Sequence, residues 1–132
     1  MRNLESWIQE INACLVLFHS DKVLLLKRPS GRWEFPGGTI EWGERPETCA
    51  VRETKEETGL NAADISLLTV TSATYPKGES QKHSVYIVFR GRASSDEVVL
   101  SDEHIEYRWL GVDEAKFVKP MALNAEDVLD YL

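Results

Sequence analysis

The chain has 132 residues, of which 42% are hydrophobic and 28% charged, and carries a formal net charge of −7 at pH 7. That size suits one compact domain with one core, able to bury roughly two-thirds of the surface its unfolded form would expose. The negative balance excludes broad attraction to duplex nucleic acid or to an anionic membrane surface, since both need a basic face.

Ile11 to Phe18 and Val23 to Lys27 are aliphatic and β-branched runs separated by the polar tetrad His19-Ser20-Asp21-Lys22, which predicts a β-hairpin. A short strand at Trp33-Glu34-Phe35 follows, and Pro36-Gly37-Gly38 is expected to break regular structure. The next helix should open near Pro46, because proline is tolerated at a first helical position, and stop at Gly59, a suitable left-handed terminator. Within it Val51, Thr54 and Thr58 fall on a face turned away from Glu53, Glu56 and Glu57, so that one side packs on a sheet and the other lines a cleft. Ile65 to Thr74 and His83 to Gly91 read as strands, with Tyr75 to Lys82 a polar connection containing Pro76 and Gly78. A further strand is expected over Ile105 to Leu110, and helices over Val112 to Phe117 and Ala125 to Leu132, the last capped by Asn124 with Asp127 three residues on. The simplest assembly is an α/β fold, a mixed sheet flanked by helices.

Cys14 and Cys49 are too few for a disulfide framework, and their neighbourhoods place them as reduced thiols in a core strand and a helix. The apolar runs are too short to span a bilayer, and the N-terminal MRNLESWIQE lacks the apolar stretch of a signal peptide. A cytoplasmic location is the expectation.

Glu53, Glu56 and Glu57 stand at i, i+3 and i+4, which crowds three carboxylates onto one helix face. Like charges at that spacing destabilise a helix, whereas a divalent cation turns the same arrangement into a hard oxygen-donor site. Oxygen donors select Mg²⁺, with Mn²⁺ second, over Zn²⁺, and His19, His83 and His104 are scattered along the sequence. A cation between the two would also let an acidic protein hold a polyphosphate. An EF-hand-like Ca²⁺ domain is disfavoured because the looped, alternating acidic pattern is missing.

The segment GTIEWGERPETCAVRETKEETGL, Gly38 to Leu60, resembles the Nudix box, G-x5-E-x7-R-E-U-x-E-E-x-G-U with U a bulky aliphatic residue. Gly38, Glu44, Arg52, Glu53, Glu56, Glu57 and Gly59 all match, and Leu60 fills the last U. Thr54 departs at the first U; its methyl can still pack and its hydroxyl can bond the Ala50 carbonyl. Trp33 to Gly38 is similar to the family's usual lead-in.

The resemblance implies an α/β/α sandwich with a central mixed β-sheet, one Nudix hydrolase domain over residues 1–132. It also implies MutT-like, Mg²⁺-dependent hydrolysis of a nucleoside diphosphate linked to a group X. Carried over by position, it makes Glu53, Glu56 and Glu57 metal ligands, with the carbonyl of Gly37 or Gly38 a further ligand and Glu53 a candidate proton acceptor. Glu44 and Arg52 become a supporting pair. A glutamate outside the box often serves as base, for which Glu103 is the choice over Asp96, Glu97 and Glu106; Glu41 is a weaker candidate for metal or substrate contact. Arg28 matches an arginine that faces a phosphate in relatives. Trp33 and Tyr75 are candidates to stack on a base and Asn124 to read its edge, against core and helix-cap alternatives.

The expected substrate is a (deoxy)nucleoside triphosphate, cleaved to the monophosphate and pyrophosphate. ADP-ribose or another nucleotide sugar comes second, since Pro76 stands about where ADP-ribose pyrophosphatases often carry a proline, and dinucleoside polyphosphates third. A catalytically silent nucleotide-binding sensor is the non-enzymatic alternative, disfavoured by the intact box. The expected partner is a small-molecule nucleotide, with the chain a monomer or homodimer.

Overall fold

The computed structural model describes residues 7–132. The signal-peptide reading of the N-terminus therefore rests in part on residues outside those described. In chain order the elements are β1 (Trp7–His19), β2 (Lys22–Lys27), β3 (Trp33–Glu34), β4 (Gly37–Thr39), α1 (Pro46–Thr58), β5 (Ala62–Lys77), β6 (Ser80–Ala93), β7 (Glu106–Gly111), α2 (Val112–Ala115) and α3 (Leu123–Leu129).

Seven strands form one mixed sheet in the order β3-β2-β1-β6-β5, with β4 also paired to β1 and β7 to β2. β1 runs parallel to β6, and every other named pair is antiparallel. Side chains alternate across a strand, and β1 and β2 are apolar on both faces. Ala13, Leu15, Leu17, Leu24 and Leu26 pack with Cys49 and Ala50 of α1 on one side. Cys14, Val16, Val23 and Leu25 pack with Ala115 of α2 and Ala125, Val128 and Leu129 of α3 on the other. The expected helix–sheet–helix sandwich is what these two cores build.

α1 begins with Pro46 in its first turn and ends at Gly59, whose φ of 74° is the left-handed conformation a glycine adopts without strain. The Thr54 hydroxyl donates to the Ala50 carbonyl at 2.7 Å, so the departure from the motif is internally satisfied.

The structure departs from the expected elements in three places. Gly37 and Gly38 do not break the sheet but pair as β4 with Cys14 and Ala13. A Cβ at Gly37 would sit 2.4 Å from the Ala13 carbonyl oxygen, so the glycine here serves close strand approach. Tyr75 to Lys82 is not a loop: β5 and β6 continue as a ladder to Lys77 and Ser80, closed by Gly78-Glu79. Pairing with β1 from Trp7↔Gln81 onward and the Lys82–Glu10 ion pair at 2.8 Å hold that polar stretch in the sheet. Asn124 lies inside α3, whose N-cap is Ala122 with no side-chain cap bond; the amide is buried instead and approaches Cys14 Sγ at 3.9 Å. Among the described residues no helix is long and apolar enough to cross a membrane.

Candidate active site

α1 buries Cys49, Ala50, Thr54, Glu57 and Thr58 against the sheet. Glu57 thus belongs to the packed face and not to the solvent face predicted for it, because it follows Thr54 at i+3. It is 1% exposed. Its Oε1 accepts from the Gly37 amide at 2.9 Å, while its Oε2 is buried with no hydrogen-bond partner. Burial pushes the Glu57 carboxyl up to about 9, with the neighbouring Glu103 and Glu34 adding to the rise and the Gly37 amide opposing it.

One turn earlier, the Glu53 carboxyl lies where a Cβ on Gly38 would be, 2.6 Å from its Cδ, so the glycine makes room for the carboxylate. Burial raises the Glu53 pKa despite the adjacent Arg52. Glu56 is exposed.

Arg52 organises this face. Its Nε and Nη2 donate to the two Glu44 oxygens at 2.7 and 3.0 Å, a bidentate pair, while Nη1 donates to Glu53 Oε1 at 2.9 Å and to Glu56 at 3.3 Å. Hydrogen bonding from Arg52 holds the Glu44 carboxyl down at about 2. Glu44 also accepts from the Glu41 amide, so loop and helix are tied at one carboxylate. Glu41 itself reaches Arg52 only at 3.8 Å.

A cavity of about 860 Å³ opens beside these groups. Gly37, Gly38, Glu53 and Glu103 line it near α1, and Arg28, Arg32 and Glu34 line it at the β2 end. Glu10, Asn12 and Cys14 of β1, Tyr75 of β5, Lys82 and Tyr86 of β6 and Asn124 of α3 complete the wall. The structure therefore brings together Arg28, Gly37, Gly38, Glu53, Tyr75, Glu103 and Asn124, with Glu57 directly behind Gly37 and Glu44, Arg52 and Glu56 on the adjoining helix face. Trp33 is corrected: it is 4% exposed, sits in the core cluster under the Arg108 guanidinium, and does not line the cavity.

Glu34, His104, Asn12 and Lys82 were not singled out from the sequence. Asn12 interrupts an apolar strand run, and that interruption was the available signal. His104 is scattered from the other histidines in the sequence, yet Glu57, Glu103 and His104 offer ligand atoms within 4.8 Å of one another. Cys49, buried and pushed up to about 12 chiefly by burial, has its Sγ against the Gly38 and Thr39 carbonyls and is no nucleophile.

The donor set fits a hard divalent cation. Glu53 and Glu57 could supply carboxylate oxygens, and the desolvated Glu57 Oε2, without a hydrogen-bond partner, is the kind of buried group that a cation satisfies.

A cavity beside a glutamate-bearing helix, next to a glycine strand that leaves room for a carboxylate, is an arrangement that could hold a hard cation on an α/β sandwich. The chain belongs to the NUDIX domain family, whose model matches residues 9–132. Among relatives it is 38% identical over 96 residues to the asymmetrical bis(5'-nucleosyl)-tetraphosphatase of Sus scrofa, covering 70% of this chain and 65% of that protein's length. It is 34% identical over 124 residues to the RNA pyrophosphohydrolase of Caulobacter vibrioides, covering 78% and 72%. Its fold is similar to the crystal structure of a MutT NUDIX hydrolase from Burkholderia pseudomallei, with a TM-score of 0.81 at 25% identity over 95% of this chain and 98% of that one.

Proposed function

We propose that the chain is a Mg²⁺-dependent pyrophosphohydrolase acting on a nucleoside diphosphate linked to X, with a (deoxy)nucleoside triphosphate as its substrate class. The observation that carries this reading is Glu57: a carboxylate buried at the cavity with one oxygen on the Gly37 amide and the other unpartnered. Nothing in the fold requires an ionisable group there, and burying one of its oxygens without a partner is unfavourable whether the carboxyl is charged or protonated. Family membership and relatives that cleave phosphoric anhydrides point the same way.

Glu53, Glu57, Glu56 and the Gly38 carbonyl would hold the cation, which supplies charge neutralisation on the phosphate oxygens and a more acidic bound water. Arg52 and Glu44 keep the helix carboxylates aimed by their bidentate bond. Glu103, at the cavity rim, accepts the proton of the attacking water. The water oxygen bonds to phosphorus, the bridging P–O bond breaks, and its electron pair leaves on the departing group, pyrophosphate for attack at the α-phosphorus or the nucleoside monophosphate for attack at the β-phosphorus. Arg28 donates to the phosphate chain, and Tyr75 and Asn124 face the nucleoside, the buried amide presenting donor and acceptor to a base edge.

A second reading, a dinucleoside polyphosphate as substrate, is favoured by the identity to the tetraphosphatase. The deciding experiment incubates the protein and Mg²⁺ with nucleoside triphosphates, dinucleoside polyphosphates and ADP-ribose in ¹⁸O water and identifies products and label position. Monophosphate and pyrophosphate from a triphosphate support the first reading. Glu53→Gln should lower turnover about a hundredfold or more. Unchanged turnover in that variant, or no hydrolysis of any nucleotide, would refute the proposal.

A further inference from the structure

Glu34 takes no part in the scheme above, yet it is bonded twice through one atom. Its Oε2 accepts from Arg28 Nε at 2.8 Å and pairs with His104 Nε2 at 2.9 Å. Glu34 stays charged: burial pulls its carboxyl upward, but the bonds from His104 and Arg28 outweigh that and hold it below the usual range. A carboxylate has no proton to give, so Nε2 is the donor.

The three side chains grade from rigid to exposed. His104 is fully enclosed at 0%, Glu34 is 15% exposed and Arg28 is 48% exposed. The backbone on both sides is fixed as well. The Ile105 amide donates to the Lys27 carbonyl at 2.8 Å, and Arg28 and Arg32 close a turn through Arg28 N to Arg32 O at 2.9 Å and Gly31 N to Arg28 O at 2.8 Å. Glu34 uses only Nε of Arg28, so the Nη fork is not taken up by that bond, and Arg28 lines the cavity together with Glu103, whose charge it feels. A long flexible side chain is thereby held at the cavity wall by Glu34, which lines the cavity with it, and by the buried His104 behind Glu34.

We propose that Glu34 and His104 are positioning residues that clamp Arg28 with its Nη fork aimed at the phosphate chain of the substrate. The proposal rests on the hydrolase reading for what Arg28 meets, and on the two bonds to Glu34 Oε2 for the clamp itself. Neither Glu34 nor His104 touches the reacting atoms. Their effect is on substrate binding through Arg28.

The test compares Arg28→Ala, His104→Ala, His104→Gln and the double variant Arg28→Ala/His104→Ala, each with Mg²⁺ and the nucleotide that the panel identifies. Expected for His104→Ala is a rise in KM of about tenfold with kcat within about threefold of the parent. His104→Gln, whose amide nitrogen can reach the Nε2 position, recovers most of the loss, and the double variant is no worse than Arg28→Ala alone. Additive losses, or a fall in kcat at unchanged KM, overturn the proposal. Should His104→Ala fail to fold, the comparison is read on Glu34→Gln, which keeps the shape and one acceptor while removing the charge.

A second readout needs no activity. The ¹H–¹⁵N resonance of Arg28 Nε, shifted by its bond to Glu34 in the parent, should move toward the free-arginine position in His104→Ala. An unmoved resonance overturns the clamp whatever the protein hydrolyses, whereas a parent that hydrolyses no nucleotide sinks the hydrolase reading and leaves the clamp to be judged by this resonance.

Discussion

Replacing Glu57 by Gln should stabilise the protein when divalent metal is withheld, and the gain should grow with pH. Burial pushes the Glu57 carboxyl up to about 9 from its ordinary value of 4.5. A raised acid pKa means that between those values the folded state holds a proton that the unfolded state has released. Stability is therefore fully present below about pH 4.5 and declines as pH rises toward 9, by about 1.4 kcal/mol per pH unit. At pH 7.5 the three intervening units amount to about 4 kcal/mol. Glutamine needs no proton and can still accept from the Gly37 amide, so Glu57→Gln escapes that loss. The assay is urea unfolding of both proteins in EDTA from pH 5 to 9, followed by tryptophan fluorescence. The two should nearly coincide at pH 5 and diverge steadily above it. Parallel profiles would show that Glu57 is not held protonated in the fold, and the burial argument for the site would go with it.

Mg²⁺ needs the carboxylate form of Glu57, so its uptake at pH 7.5 should release close to one proton, read as a dependence of calorimetric enthalpy on buffer ionisation heat; equal enthalpies in all buffers would contradict this. Gly37→Ala places a Cβ 2.4 Å from the Ala13 carbonyl oxygen and 2.8 Å from Cys14 Cα, both backbone, and should cost about 3 kcal/mol or more in urea unfolding. Gly38→Ala meets only the movable end of Glu53, so its melting temperature should change little while kcat falls about tenfold or more; equal melting losses in the two variants would refute the distinction. Thr54→Val removes a buried hydroxyl that bonds back to the Ala50 carbonyl and should raise stability by about 0.5 kcal/mol with unaltered activity.

The parts of the fold that could be read from the sequence are those with local causes. The β1–β2 hairpin follows from two apolar runs around a polar turn, and the ends of α1 follow from Pro46 and Gly59. What the sequence concealed depends on neighbours distant in the chain. Two adjacent glycines read as a break until Ala13 and Cys14 are seen to pass so close that no side chain fits between the strands. Asn124 satisfies a local cap pattern, yet the packing of α3 over Cys14 places the amide in the cavity wall instead. Trp33 was one of two aromatics weighed for stacking; burial beneath Arg108 separates it from Tyr75, and only tertiary structure can do so.

The same distinction explains why the chemistry was more legible than the substrate. The face proposed to hold the cation lies on one helix, where a period of 3.6 residues makes i, i+3 and i+4 visible as a cluster. The opposite wall of the cavity is drawn from one parity of separate strands: Glu10, Asn12 and Cys14 alternate along β1 with the exposed Ile11 and the core residue Ala13, and Lys82 and Tyr86 lie on β6. In sequence such positions look like stray polar residues in apolar runs. Because β1 and β6 run parallel, Asn12 falls beside Tyr86, and the β5 partner of Tyr86 is Thr71. Thr39 of β4 completes this row on the other side of Asn12, donating to its Oδ1 at 3.2 Å. Four strands thus place polar side chains in one line across the sheet, which no single stretch of the chain could reveal. Substitutions along that line can change what the cavity accepts while leaving α1 and its carboxylates untouched.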